Sequence, residues 1–408
     1  MYLFQVISSE KQQAIIDRMK LKRAIKRYEE QVEKEQKAEM EISKPKMISF
    51  DGKKDDTLIT EVDANGKNKV VLKKEEHVSI MSEPGSKYLT HLSPGSKGVD
   101  IAQAIHKDLQ EKNLLQSVKI IGADSTAVNT GWQNGAISLL EQLKGERVLW
   151  AICQLHLNEL PLRHVFQDID GKTDSRNTFK GPVGKLLPNV ENFSLRSTFQ
   201  PIGSELKDQT ITLPECIVSD LSSDQKMMYF AWKSVLEGTL NIDLLSLTPG
   251  PLSHARWLTL ALRVLLLWMS DCKLEDIDMS NLQKIVHFVV TNYCPMWFSV
   301  KKMGKLKDGS KHLFSQVTAL KHLKGQVLES ARENVQRNSY YAHSELLLTT
   351  MLADQDPDIR NQGVDKLLVL QAGSDIGDKE KRPFKVPKIN LHCNSYVDLI
   401  DWDKESIT

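Results

Sequence analysis

Residues 119–167, KIIGADSTAVNTGWQNGAISLLEQLKGERVLWAICQLHLNELPLRHVFQ, decide the fold of this chain. An apolar run ends at Asp124 and leads into a small polar loop and a helix at about 133–143. A second apolar run, 148–153, continues directly into a helix that carries His156. Open α/β sheets bind ligands in the crevice beyond the carboxyl ends of their parallel strands. Asp124 is therefore either a catalytic carboxylate or a turn residue that ends a strand.

The composition of the chain favours a folded intracellular protein. Its 408 residues, 40% of them hydrophobic and 26% charged, suffice for two to three domains or one large elaborated domain. The formal net charge is +1, so any basic surface for nucleic acid has to be local. The five cysteines lie far apart without paired spacing, which favours a reducing compartment over a disulfide framework.

Neither the N-terminal sequence nor the most apolar stretch of the chain indicates a membrane protein. The N-terminal sequence lacks the basic and apolar regions of a signal peptide. The most apolar window, residues 258–269, is too short to span a bilayer and contains Arg263. We therefore expect a core helix there and no membrane partner.

The N-terminal segment, residues 1–44, is predicted to form a charged helix and a linker. Between residues 12 and 42 basic side chains come first and acidic ones follow, without a sustained apolar stripe. This pattern is typical of a solvated helix, and a DNA-binding arm is the alternative.

The order of predicted elements indicates a ribonuclease-H-like α/β core at residues 45–170. Residues 46–60 are interpreted as a strand, a tight turn at Asp51-Gly52 and a second strand. Further strands are predicted at 69–72, 77–81 and 88–92, and an amphipathic helix at 99–112. An antiparallel meander followed by parallel strands with crossover helices is the ribonuclease-H-like arrangement, with a mixed sheet.

In that topology Asp51 and Asp124 would face one crevice from neighbouring strands. Two converging carboxylates suit Mg²⁺ or Mn²⁺, which in pairs hold the attacking and leaving oxygens of a phosphoryl transfer. The alternative is that Asp51-Gly52 is simply a hairpin turn.

The remainder of the chain is predicted to be mostly helical. Residues 171–335 form an irregular connection, up to about 213, and then a mostly α-helical insertion. Residues 336–376 supply C-terminal helices that complete the core, and residues 377–408 form an irregular tail punctuated by prolines.

Several motifs together resemble a known group of proteins. They are FDGKKD at 50–55, ADSTAVNTGWQNG at 123–135, CQLHLNELPLRH at 153–164, GPLSHARWLT at 250–259, YYAHSE at 340–345 and the tail motifs FKVPKIN and YVDLIDW at 384–402. The chain resembles ribonuclease-H-like, transposase-derived proteins related to the hobo/Activator/Tam3 superfamily, and more closely an uncharacterised animal family that carries these motifs.

The resemblance implies a three-carboxylate metal site and a DNA-contacting set of residues. Asp51 and Asp124 would be the first two acids. Glu345, which follows the insertion, would be the third, with Glu333 as the alternative. The C-x-x-H pair Cys153 and His156 and the pair Arg256 and Trp257 would lie near the bound DNA end. DNA and a second copy of the chain are the implied partners, and the nucleus is the implied location.

Each of these residues also has a structural interpretation. Cys153 and His156 have half the spacing of a zinc site, but no second pair stands at a suitable distance, so both can be structural. Arg256 could bind phosphate or lie along a helix start. Trp257 could stack on an extruded base or belong to the core. Glu345 could serve helix capping.

Two functions therefore follow from the sequence. The first is a transposase-like nuclease in which Mg²⁺ or Mn²⁺ at Asp51, Asp124 and Glu345 supports DNA cleavage and strand transfer. The second is a domesticated, non-catalytic scaffold that binds DNA or protein. An unrelated α/β enzyme is disfavoured, because the sequence has no Gly-rich phosphate loop and no G-x-S-x-G motif.

Overall fold

A five-stranded mixed sheet and a large helical part make up the protein. The computed structural model describes residues 18–42, 44–62, 66–175, 178–209, 212–252, 257–303, 306–373 and 385–405. The strands are β1 Met47–Val62, β2 Asn68–Glu83, β3 Lys87–Leu92, β4 Ile120–Ala123, β5 Leu149–Ile152, β6 Thr173–Ser175 and β7 Thr178–Phe179. The large sheet has the order β3-β2-β1-β4-β5, and β6 and β7 form a small ribbon. The predicted α/β class with a mixed sheet is confirmed.

The α-helices lie before, between and after the strands. They are α1 Arg18–Ile42, α2 Gly98–Glu111, α3 Ala127–Thr130, α4 Ala136–Lys144, α5 Gln154–Asp170, α6 Pro182–Leu186, α7 Glu215–Asp220, α8 Ser223–Glu237, α9 Leu258–Met269, α10 Asp276–Phe288, α11 Cys294–Met303, α12 Gly309–Ala319, α13 Gly325–Arg337, α14 Ser344–Leu352 and α15 Pro357–Gly373. Within the described ranges, none of these helices is both long enough and apolar enough to cross a membrane.

The strands pair in two different ways. β1 is antiparallel to β2, and β2 is antiparallel to β3, with an irregular register at Ile80 and Met81. β4 and β5 are parallel, with Ile120 opposite Leu149 and Ala123 opposite Ile152. Parallel strands require a crossover connection, and α3 and α4 provide it here.

The predicted turn at Asp51-Gly52 is wrong. Both residues lie inside the uninterrupted strand β1, where Asp51 pairs with Ser79 and Gly52 with Val78. The two predicted strands at 69–72 and 77–81 are likewise one continuous strand, β2. Cross-strand pairing along 16 residues of each strand overrides the local turn preference of Asp-Gly.

Contacts between Cα atoms divide the chain into two compact units. The first contains Met1–Ser93 and Lys107–Lys119, and the second contains Pro94–His106 and Ile120–Thr408. In the first unit one sheet face buries Ile48, Phe50, Val78 and Ile80. The register places Asp51, Ser79 and His91 in one row on the opposite face.

The far ends of β1 and β2 form a two-stranded ribbon with an exposed apolar face. Leu58 lies opposite Leu72, and Val70 lies opposite Thr60 on the same face. The exposed fractions are 72% for Leu58, 66% for Leu72, 62% for Val70 and 67% for Val62. Side chains of this size are normally covered, so the ribbon face is a distinctive surface feature.

The second unit has a core of aromatic side chains around a π-helical turn, Val289–Tyr293, between α10 and α11. Trp232 stacks on Phe298 with 5.5 Å between ring centroids, and its Nε1 donates to the Val290 carbonyl at 3.0 Å. Asn158 Nδ2 donates to the Tyr293 carbonyl at 3.1 Å. Pro295 follows two residues after the turn and has no N–H to donate to the Thr291 carbonyl, four residues back. This missing donor explains why the ladder of helical hydrogen bonds is interrupted here.

A buried arginine joins the middle of α9 to two earlier segments of the chain. The Arg263 guanidinium is 3% exposed and donates to the Leu187 carbonyl, the Gly250 carbonyl and both carboxylate oxygens of Glu191. Burial acts to raise the pKa of Glu191, but the hydrogen bonds and charge of Arg263 outweigh it and hold that pKa below its usual value. The expectation that 258–269 is a core helix is confirmed, since every residue of α9 is buried.

His312 is the most strongly perturbed histidine of this core. Neither of its ring nitrogens has a hydrogen-bond partner among the described residues, and burial lowers its pKa to about 4. An unfolded histidine takes up a proton at about pH 6.5, whereas folded His312 resists protonation until about pH 4. The folded protein therefore loses stability as the pH falls from about 6.5 towards 4.

We expect His312→Leu to remove this loss. At pH 7 the variant should be as stable as the wild type or more stable, because a buried polar group without partners is replaced by an apolar one. At pH 5 the free energy of unfolding of the wild type should have fallen by about 2 kcal/mol more than that of the variant.

Urea unfolding of both proteins at pH 7 and pH 5 measures the difference. His392→Leu, which changes an exposed histidine, is the control and should follow the wild type. Parallel pH profiles for the wild type and His312→Leu would show that His312 does not resist protonation.

Candidate functional site

Asp124 fixes the loop that follows β4. Its Oδ1 accepts three hydrogen bonds, from the Thr126 backbone N–H at 3.0 Å, from Thr126 Oγ1 at 2.7 Å and from Asn129 Nδ2 at 2.7 Å. Asn129 is itself buried. The other carboxylate oxygen of Asp124, Oδ2, has no donor among the described residues. One oxygen of Asp124 thus orders the loop, and the other is available to a ligand.

The rest of this loop packs around two glycines, at which any side chain would force the neighbouring backbone to move. The Gly135 N–H donates to the Gly131 carbonyl at 2.8 Å. A Cβ on Gly135 would lie 2.4 Å from Gly131 backbone atoms, and a Cβ on Gly131 would lie 2.6 Å from the Ala127 carbonyl oxygen. Between them stands Trp132, with 61% of its surface exposed. We call residues 124–135 the Asp124 loop.

The C-x-x-H pair begins at the same edge as Asp124. The Cys153 N–H donates to the Ala123 carbonyl at 2.8 Å, which places Cys153 beside Asp124 at the ends of β4 and β5. His156 lies in the first turn of α5. The edge is also fixed by Tyr341, whose hydroxyl donates to the Ile152 carbonyl at 2.9 Å. The structure therefore brings Asp124, Cys153 and the start of the His156 helix together.

Glu345 does not lie at this edge. It stands in the first turn of α14 and lines a narrow cleft with Arg147, Leu149 and Trp150, at the start of β5. β5 rises roughly 13 Å over its four residues, at about 3.3 Å per residue. Asp124 follows the end of the parallel strand β4, beside the far end of β5. Glu345 therefore stands near the start of β5 and Asp124 near the ends of β4 and β5, and their grouping in one metal site stays a prediction.

The alternative acid, Glu333, also lies away from the strand ends. It is on α13 and acts electrostatically on His164, whose pKa is lowered by burial and, to a smaller extent, by nearby Arg337. His164 is ten residues along α5 from its first residue, about 15 Å of helix. Neither glutamate accompanies Asp124.

Of the predicted Arg-Trp pair, Arg256 lies outside the described residues. Trp257 is 7% exposed and contacts Phe166 edge-to-face at 6.3 Å between ring centroids. An indole covered in this way has no open face for a nucleobase, so the structure favours the core interpretation of Trp257.

Asp51 belongs to the first unit and is exposed. It stands within β1 on the face opposite the buried Ile48 and Phe50. Within the ranges that the structure describes, no group of three or more His, Cys, Asp and Glu side chains is arranged to hold a metal ion. The joint role of Asp51 and Asp124 stays a prediction.

A basic groove in the helical part was missed by the sequence analysis. Lys284 and His287 on α10 face Lys321, His322 and Lys324, which precede α13. The groove has a volume of about 840 Å³. Among the described residues, Glu205 is the one acidic residue that lines it. Its basic residues are spread over 40 positions of the chain, so no local charge run could have revealed it.

The electrostatics of the basic groove are those of an anion site. The pKa of His287 is lowered by burial, and the positive charges of His322 and Lys324 lower it further against the opposing charge of Glu205. α13 begins at the groove with no side-chain cap and no acidic residue in its first turn. Uncapped N–H groups and the helix dipole both favour a negatively charged ligand there.

No protein-family model, curated protein or solved structure matches the chain.

The Asp124 loop leads to a prediction that separates charge from hydrogen bonding. Asp124→Asn keeps Oδ1 as an acceptor, so its free energy of unfolding should change by less than about 1 kcal/mol. Asp124→Ala leaves the buried Asn129 amide and two further donors without their acceptor and should cost about 2–3 kcal/mol.

Urea unfolding gives the free energies, and hydrogen exchange of the Thr126 amide reports on the loop itself. Exchange should be accelerated in Asp124→Ala and unchanged in Asp124→Asn. Asp220→Ala, which removes an exposed carboxylate, is the control. Equal destabilisation by the Asn and Ala substitutions would contradict a role for Asp124 as an acceptor.

Proposed function

We propose that the protein is a transposase-derived, ribonuclease-H-like scaffold that binds DNA through the basic groove. In this proposal its function does not require it to cleave DNA. The basic groove carries this proposal, because three lysines and two histidines converge on one cavity. Lysines that neutralise phosphates supply most of the affinity of sequence-independent DNA binding.

The topology supports a ribonuclease-H-like assignment. Three antiparallel strands followed by a parallel pair, in the order β3-β2-β1-β4-β5, agree with the arrangement that the sequence predicts. The resemblance of the motifs to transposase-derived proteins supplies DNA as the ligand class.

The positions of the predicted acids support a scaffold over a nuclease. Glu345 lies at the opposite end of β5 from Asp124, and Oδ1 of Asp124 is occupied by the loop. This separation disfavours a shared Mg²⁺ or Mn²⁺ site of Asp124 and Glu345. The Asp124 loop acts instead as a rigid platform that presents Trp132, an aromatic suited to stacking on an unpaired base.

Removal of the groove charges should weaken DNA binding. We expect the triple variant Lys284→Gln, Lys321→Gln and Lys324→Gln to bind a labelled duplex on the order of tenfold or more weakly at moderate salt. The dependence of log K on log salt should become less steep by about 2 to 3, since each lost phosphate contact contributes about 0.9. Fluorescence anisotropy over a salt series measures both quantities.

The matched control removes three exposed lysines from the first unit, by Lys53→Gln, Lys73→Gln and Lys107→Gln. It changes the net charge equally and should leave the affinity and the salt slope close to those of the wild type. Equal weakening in both variants, or no DNA binding by the wild type, would overturn the proposal.

The second candidate function is metal-dependent cleavage, and one observation favours it: Oδ2 of Asp124 has no donor among the described residues. If Asp124 holds a divalent cation, calorimetry should detect Mn²⁺ binding that Asp124→Asn abolishes, because the amide keeps the loop and loses the charge.

Wild-type protein that takes up no Mn²⁺ would exclude this candidate. Mn²⁺ binding that survives Asp124→Asn would place the cation elsewhere. The unfolding measurements on the same variant show whether the Asp124 loop is intact, so a lost signal can be assigned to charge.

A further inference from the structure

Two histidines meet on the exposed face of the three antiparallel strands. Nδ1 of His77, on β2, lies 3.0 Å from Nε2 of His91, on β3. The rings are nearly parallel, with 5.0 Å between their centroids and 23° between their planes. His77 is half-buried and His91 is exposed, so the gap between the two nitrogens opens to solvent.

The second nitrogen of His77 is held in place by a hydroxyl group. Thr57 Oγ1, on β1, lies 2.6 Å from Nε2 of His77. Metal-binding histidines typically use their second ring nitrogen in this way, and the hydrogen bond fixes both the ring orientation and the tautomer. With the His77 proton on Nε2 and donated to Thr57, Nδ1 presents a lone pair to the gap.

A third donor atom stands next to the pair. Ser93 Oγ, just beyond β3, lies 3.4 Å from Nδ1 of His77. The carboxylate of Asp55 is close enough to His77 for their charges to interact, but Lys53 binds it at 2.7 Å. The pair is thus bordered by a hydroxyl ligand and by a partly neutralised carboxylate.

We propose that His77 Nδ1 and His91 Nε2 form a binding site for a borderline transition-metal ion of the Zn²⁺, Ni²⁺ or Cu²⁺ class. Imidazole nitrogen suits these ions, whereas Mg²⁺ and Mn²⁺ prefer oxygen. Two nitrogens bound to a tetrahedral zinc at about 2.0–2.1 Å lie roughly 3.3 Å apart, so the observed spacing has to widen by only a few tenths of an ångström. Ser93 Oγ and water complete the coordination.

Binding needs only a change of tautomer and no net loss of protons. Without metal, one of the two facing nitrogens carries the proton that joins the pair. With metal, the His77 proton is on Nε2, towards Thr57, and the His91 proton is on Nδ1, towards solvent. Each neutral imidazole keeps its single proton while both facing lone pairs bind the ion.

The site is independent of the proposed DNA function. It is built from one compact unit, and it uses none of the residues of the Asp124 loop or the basic groove. Loss of Zn²⁺ binding without a change in DNA affinity would therefore concern this site alone.

Calorimetric titration with Zn²⁺ tests the site, in full-length protein carrying Cys216→Ser so that the exposed thiol does not compete. We expect saturable binding of one ion, abolished by His77→Ala with His91→Ala. Thr57→Val should weaken it roughly tenfold or more, because it removes the partner that orients His77. The control, His106→Ala with His392→Ala, removes the same number of histidines and should bind as the parent does.

A second measurement tests the site even if the double variant fails to fold. Electron paramagnetic resonance of one equivalent of Cu²⁺ should show two coordinated nitrogens in the parent protein and in the control, without any substitution in the site. Zn²⁺ should also raise the melting temperature of the parent. Unchanged Zn²⁺ affinity in the double variant, or a copper spectrum without two coordinated nitrogens, would refute the proposal.

Discussion

The helical part depends on one interruption of a helix. Pro295 cannot donate to the carbonyl four residues before it, and the chain responds with the π-helical turn Val289–Tyr293. Side chains donate to two main-chain carbonyls of this turn, Trp232 to Val290 and Asn158 to Tyr293. Because Asn158 lies on α5, directly after the edge that carries Cys153, the same turn holds the candidate site against the aromatic core. A buried carbonyl without a partner would be costly, so this contact specifies the packing.

Sequence analysis succeeded where local chemistry ends an element. The helix predicted at about 133–143 is α4, Ala136–Lys144, and Gly145 takes the left-handed conformation that ends it. It failed where pairing between distant residues decides. The Asp51-Gly52 turn is overridden by the 16-residue ladder of β1 and β2.

In the candidate site, too, local features could be predicted from the sequence and features made by the tertiary fold could not. The position of Asp124 at the end of a strand could be predicted, because the short apolar run before it is visible in the sequence. The position of Glu345 could not, since its motif is used to anchor the chain: Ser310 donates to the Tyr341 carbonyl, and a side chain at Gly309 would collide with the Tyr341 ring. The basic groove was invisible because α10 and the start of α13 come together only through the tertiary fold.

The ribbon formed by the far ends of β1 and β2 affects how the protein behaves in concentrated solution. Beyond the core its strands bury little, and its apolar face with Leu58, Val70 and Leu72 resembles the segments from which intermolecular sheets grow. Lys74 lies on this face of β2, opposite Asp56, and Lys69 and Lys73 flank it on the other face. Such charges repel an approaching copy, and they act as gatekeepers against self-assembly. Their protection relies on an unscreened field, so high salt removes the barrier while it strengthens apolar association.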